Sequence, residues 1–219
     1  MADENWLEEA LGIREERIYP ALFGSRSNGI YPLDAELFST FHVSEVDPRW
    51  LFHGVMKFGP VPERDSWIYA TSGLSNAWHD QYPNPEGWSG IGCELVLETK
   101  QEADWALFLL RRLLAFQTLL GWGHFPEKSP LAFGDRIPLR SPIDGEKSAL
   151  SWGLVAKPLG YADTFELPTG KVELLLIVGI TEDEAAFARE MGLDPLLKRL
   201  GTSGYLATDP ARTSVLGTT

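Results

Sequence analysis

The sequence predicts one α+β domain, a mixed β-sheet with helices packed on it. Three observations carry this. The stretch Thr169–Glu184 reads TGKVELLLIVGITEDE, with seven aliphatic residues between a Gly-Lys turn and an acidic segment. At strand periodicity Val172, Leu174, Leu176, Val178 and Ile180 share one face and Leu175 and Ile177 the other. A strand apolar on both faces belongs in the middle of a sheet covered on both sides, and its valines, isoleucines and Gly179 disfavour a buried helix. The second observation is Ala103–Leu120, an apolar cylinder with a narrow wet stripe (Asp104, Arg111 and Thr118, with Arg112 beside them) that must pack against a sheet. The third is the order of strand and helix signals, which is mixed, with no repeat, low-complexity tract or linker to divide the chain.

In chain order, residues 4–11 read as a short amphipathic helix with Trp6, Leu7 and Leu11 on one side and Gly12 as its stop. From Tyr19 to Val46 turn signals recur, so irregular surface structure with one short strand is expected. Trp50–Phe58 and Trp67–Thr71 are expected strands, the second running into Ser72-Gly73-Leu74-Ser75 and a loop rich in Asn, Pro and Gly. Ile91–Glu98 alternates, with Ile91, Cys93, Leu95 and Leu97 inward and Glu94 and Glu98 outward, which predicts a half-buried strand with one wetter face. Gly121 ends the main helix. Phe133–Pro138 is a short strand near an edge, because Pro138 cannot donate to a ladder. A turn at Ser141–Gly145 precedes a strand marked by Leu150, Trp152 and Leu154. Thr181 and Glu184 fit a capping box, so a helix starts where the central strand stops. Asp194 and Pro195 suit the start of a last helix ending at Gly201. From Leu206 a polar tail is expected to fray unless it adds an edge strand. Residues 1–24 form a helix and lead-in to the unit 25–219, the whole being one globular body.

Composition narrows the function classes. With 31 acidic against 19 basic residues the net charge is −12, and the longest basic run is Arg111-Arg112, so neither nucleic acid nor an anionic membrane is an expected partner. An acidic surface favours a basic partner, although solubility alone also selects acidity. The single cysteine, Cys93, allows no internal disulfide and is expected to be a small buried hydrophobe. No stretch approaches the ~20 apolar residues of a membrane span and the first residues hold no signal core, so a cytoplasmic location is expected.

No catalytic set emerges. Gly73-Leu74-Ser75-Asn76-Ala77 partly matches a Gly-x-Ser-x-Gly elbow, but its last glycine is Ala77 and no helix follows. A serine hydrolase using Ser75 with His79 or His124 is therefore a minor alternative. The four histidines are scattered without metal spacing, and neither Gly-x-Gly-x-x-Gly nor a Walker loop occurs, so no metal and no cofactor are expected. Glu182-Asp183-Glu184 is explained by the helix macrodipole. The tryptophans beside glycine, Trp88, Trp122 and Trp152, are read as braces of loops rather than interface anchors.

Five motifs in order resemble the Suppressor of fused domain. They are Trp67–Ser75 with Gly87–Leu97, the Leu-rich helix opened by Trp105, Phe133-Gly134-Asp135 leading to Ser141-Pro142-Ile143-Asp144, Gly170–Glu184, and Tyr205–Asp209 with Arg212. The likeness runs from about residue 25 onward and implies the fold of that family's N-terminal domain, binding other proteins without catalysis. Animal members clamp an extended peptide between this domain and a second one. The chain here is expected to hold only the first, so the two-domain clamp does not carry over. Bacterial single-domain members are regarded as immunity proteins that neutralise toxins, which suits a short acidic chain. The resemblance places Asp135 on a peptide-binding edge that would receive a strand by main-chain pairing. A turn cap is the other reading of Asp135. Where the family has a nearby histidine the chain has Arg140, a departure that favours an acidic ligand. A housekeeping scaffold or regulator is the alternative within the binding class. The oligomeric state is left open.

Overall fold

The computed structural model describes residues 5–26, 29–78 and 84–217. Among the described residues eight strands form one sheet: β1 (Tyr31–Pro32), β2 (Gly54–Phe58), β3 (Trp67–Ser72), β4 (Trp88–Thr99), β5 (Arg136–Pro138), β6 (Leu150–Ala156), β7 (Thr164–Leu167) and β8 (Gly170–Thr181). The spatial order is β1-β2-β3-β4-β8-β6-β5, and β7 flanks the first half of β8 on the side where β6 flanks the second. β4 and β8 pair in parallel, and the other neighbours pair antiparallel. The helices are α1 (Asn5–Gly12), α2 (Tyr19–Phe23), α3 (Ala35–Ser39), α4 (Asp104–Gly121), α5 (Glu182–Met191) and α6 (Leu193–Thr202).

The two-faced strand is central, as its sequence requires. On one face of the sheet Leu175 and Ile177 join Tyr69, Leu95 and Leu97 beneath Leu110, Leu113 and Leu114 of α4. On the other face Leu174, Leu176, Val178 and Ile180 meet Tyr19 and Phe23 of α2, Ala185 and Ala188 of α5, and Leu196 and Leu200 of α6. Helices therefore cover both faces, and all eight residues from Leu174 to Thr181 are buried. The capping box forms: Glu184 N–H donates to Thr181 Oγ1, and Glu184 Oε2 accepts from Thr181 N–H at 2.9 Å.

Several expectations are corrected. Gly12 does not stop the first helix. Its φ and ψ are −60° and −42°, and the chain continues through a π-helical turn at Ile13–Ile18 into α2. Tyr19 and Phe23, expected in an irregular surface segment, are fully buried. The strand expected from Trp50 begins at Gly54, after a 3-10 turn at Pro48–Phe52 that buries Trp50. Thr118 does not lie on a wet stripe. It is fully buried and meets His53 Nδ1 at 3.3 Å. Glu94 is fully buried too, because the first helical segment covers the face that alternation assigns to solvent. β7 carries no distinct signal in the sequence. The segment from Leu206 is pinned to the sheet rather than frayed, with Thr208 N–H donating to Glu98 O at 2.7 Å. Cys93 is buried, as expected, and burial pushes its thiol up to about 12.

Candidate partner-binding site

β5 is a terminal strand of the sheet, and Asp135 and Arg140 stand at its two ends. Leu139 N–H donates to Ser151 O at 3.0 Å and Val155 N–H to Asp135 O at 2.8 Å, so odd-numbered residues turn their backbone toward β6. Arg136 and Pro138 then turn theirs outward, where no strand pairs with them among the described residues. Since proline has no N–H, Arg136 supplies the one main-chain donor of β5 on that side. The edge is short and poor in donors, which guards it against unselective pairing.

Asp135 is exposed, and its Oδ2 accepts from Ala132 N–H at 2.9 Å, so it caps the 132–135 turn. Arg140 is exposed with φ of +63°, a left-handed conformation that non-glycine residues adopt at a cost. Phe133, 44% exposed, flanks the strand, and the Gly134 turn packs near Leu193 at the start of α6. Met191, 62% exposed, lies two residues before Leu193. The sequence thus marks both ends of one open edge with opposite charges and apolar residues beside it.

A second cluster is closed. Arg14, from the π-helical turn, is fully buried and donates to Ser75 Oγ (2.7 Å), Asn76 Oδ1 (2.9 Å) and Ser72 Oγ (2.6 Å). Glu94 lies 3.4 Å from Arg14 Nη1, and its Oε1 accepts from Gly73 N–H, Ser75 N–H and the Ser75 hydroxyl. Its Oε2 accepts from the Thr71 hydroxyl. Ser75 is therefore a structural hydroxyl held between a guanidinium and a carboxylate, and this is not a nucleophile's setting. His124 packs edge-on to Trp50 with ring centroids 5.6 Å apart, and His79 lies outside the described residues. His53 Nε2 accepts from Trp78 Nε1 at 3.2 Å, which leaves the ring proton on Nδ1, facing Thr118. Burial, opposed in part by Glu94, lowers its pKa to about 4.

Among the described residues no group of three acidic, histidine or cysteine side chains is placed to hold a metal, and no helix is long and apolar enough to cross a membrane. Of the three tryptophans beside glycine, Trp122 packs against Trp50 and Trp152 against the α5–α6 face, whereas Trp88 is 59% exposed.

The sequence profile described as Suppressor of fused protein (SUFU) matches residues 52–213. The chain belongs to the Suppressor of fused family. Among solved structures, Suppressor of fused from Drosophila is 24% identical with a TM-score of 0.59, and the match covers 75% of this chain and 42% of that one. The chain thus spans less than half of that protein's length. A Sufu–Fu complex structure matches at 21% identity and a TM-score of 0.65, covering 96% of this chain and 92% of that chain. A SUFU homolog from Neisseria gonorrhoeae matches at 16% identity and 0.62, covering 98% and 99%. At these identities the solved structures establish the SUFU fold. Among curated proteins none matches the chain. What the sequence did not reveal in this SUFU domain is Arg14 and its partnership with Glu94. The two residues are 80 positions apart, and Arg14 lies before the matched segment.

Proposed function

We propose that this SUFU domain is a non-catalytic protein-binding module that takes an extended segment of a protein partner along the outer edge of β5. Asp135 and Arg140 would contact that partner from the two ends of the strand. The observation that carries the reading is the open edge itself, terminal in the sheet, with one outward N–H at Arg136 and an exposed arginine in a strained conformation at its end. The Sufu–Fu complex supports the class of activity, since a relative of the same fold was solved as a complex.

The finer reading is an immunity-type role, binding and neutralising a cognate bacterial toxin in the cytoplasm. The net charge of −12 supports it, because an acidic surface steers a basic protein partner. The test is co-expression with the product of the adjacent reading frame, scored by growth, and a pull-down of tagged wild type and the Arg140→Glu chain at two salt concentrations. Rescue of growth together with a stoichiometric partner lost from Arg140→Glu supports both readings. A partner from transcription or core metabolism, held at β5, moves the role to a scaffold or regulator. A partner held equally by Arg140→Glu and by a chain with Asp135→Ala rejects the β5 edge.

A further inference from the structure

β4 and β8 stop pairing before either strand ends. Their last matched residues are Leu97 and Ile177, yet β4 runs on to Thr99 and β8 to Thr181. The sheet is split there, at the carboxyl ends of its two parallel strands, and the split would orphan both main-chain groups of Gly179 on the β4 side. The segment 205–215 fills it. Thr208 N–H donates to Glu98 O at 2.7 Å, Gly179 N–H donates to Thr208 Oγ1 at 3.0 Å, and Arg212 Nη2 donates to Gly179 O at 2.7 Å. Arg212 also grips Glu184, Nη1 to Oε1 and Nη2 to Oε2, both at 2.7 Å, and Val215 N–H donates to the same Oε1. Gly179 is required for the approach, since a Cβ there would stand 2.9 Å from Thr208 Cγ2.

The character of this contact is that of a bound peptide rather than of core. From 203 to 217 the fully buried residues are Thr208 and Arg212, both polar, while Tyr205, Leu206 and Val215 are half-buried. Main-chain pairing with the strands reduces to one isolated parallel bridge, Thr99 with Thr208. The segment is also held by Ser148 Oγ donating to Pro210 O at 2.7 Å, Ser214 Oγ to Asp183 Oδ2 at 2.6 Å and Tyr205 N–H to Leu200 O at 2.9 Å. Its attachment is thus mostly through side chains, the fully buried Arg212–Glu184 pair being the strongest hold, and it would leave and rebind as a unit.

We infer that the split between β4 and β8 is a peptide-binding crevice and that residues 205–215 are its built-in ligand. The class of ligand follows from the contacts: an extended segment with a hydroxyl residue four positions before an arginine, the hydroxyl reading Gly179 N–H and the guanidinium reading Gly179 O and Glu184. The crevice admits such a segment in trans, in competition with the chain's own. It is separate from the β5 edge and does not depend on that reading.

The test uses the full chain and a fluorescein-labelled peptide of residues 203–217. Thr208→Val keeps the shape of the internal segment and removes the acceptor for Gly179 N–H, so its crevice is open more often. The labelled peptide should bind the Thr208→Val chain saturably and about tenfold more tightly than it binds wild type. A peptide carrying Arg212→Gln should fail to bind. No uptake by the Thr208→Val chain, or equal uptake of the two peptides, overturns the inference. Hydrogen exchange on wild type guards against a misfolded variant. The Gly179, Thr208 and Val215 amides should exchange together, ahead of Leu95 N–H, which donates to Thr71 Oγ1 in the core. Exchange of all four only on global unfolding would also overturn it.

Discussion

Replacing Arg14 by methionine leaves the Glu94 carboxylate buried without its counter-ion. Both side chains are at most 1% exposed, and the guanidinium stands 3.4 Å from Oε1. Removing one partner of such a pair costs about 3–5 kcal/mol, because the remaining charge stays in a low dielectric. Four donors still point at Glu94 (two backbone amides and the hydroxyls of Thr71 and Ser75), which places the cost near 3 kcal/mol. Adding Glu94→Gln should then recover much of the loss. The glutamine Oε1 keeps the donors from Gly73 and Ser75, and its Nε2 can donate to Thr71 Oγ1 in place of the bond that Thr71 now gives to Oε2. The double variant should lie within about 1–2 kcal/mol of wild type. Urea unfolding followed by tryptophan fluorescence measures both, with a midpoint shift on the order of 1 M for the single variant. If Glu94→Gln restores less than about 1 kcal/mol to the Arg14→Met chain, uncompensated charge is not the source of the cost, and the electrostatic account of this cluster is wrong.

His53 gives a pH dependence. Its folded pKa of about 4 lies below the ordinary ~6.5, so the neutral ring stabilises fully above pH 6.5 and that stability is lost as pH falls toward 4, about 3 kcal/mol in all. A His53→Gln chain should lack this component, which urea midpoints at pH 7 and pH 4.5 will show. Two glycines should respond oppositely to alanine. Gly12 is helical with open space around its Cβ position, so Gly12→Ala should stabilise by about 0.5–1 kcal/mol. Gly90 has φ of +58° and a Cβ there would stand 2.6 Å from the carbonyl oxygens of Leu74 and Asn76, so Gly90→Ala should cost about 3 kcal/mol or more by thermal unfolding. At Arg140, with φ of +63°, glycine should leave stability unchanged or raise it by about 1 kcal/mol while weakening partner capture, which separates strain held for binding from strain held for folding.

What could be read from the sequence was local. β8 was legible because both faces are apolar and the period of two sorts its residues, and α5 because Thr181 and Glu184 cap it within one turn. The edge position of β5 followed from Pro138 alone. Alternation in β4 located the strand but misassigned Glu94, since a polar residue at an outward position looks the same whether it meets water or a distant arginine. Thr118 failed for the same reason, as its partner is His53 on another element. The pinning of the 205–215 segment depends on a gap between strands that no residue pattern encodes. Asp135 was legible as a turn cap, which its bond to Ala132 realises, whereas its proposed role toward a partner came from resemblance.

The one parallel pair of strands among the described residues, β4 with β8, has a kinetic meaning. β1 to β4 are joined by antiparallel neighbours close in sequence, and so are β5 to β8, but Val96 meets Leu176 across the seam after a loop of 80 residues. Closing that loop spends chain entropy before any seam contact is gained, so the two meanders order early and their zipping limits the rate. Substitutions along Leu95–Leu97 and Leu175–Ile177 should slow folding, whereas losses at the outer strands should mainly hasten unfolding. The strand that anchors the finished core thus gains its β4 contacts last, after its pairing with β6 and β7.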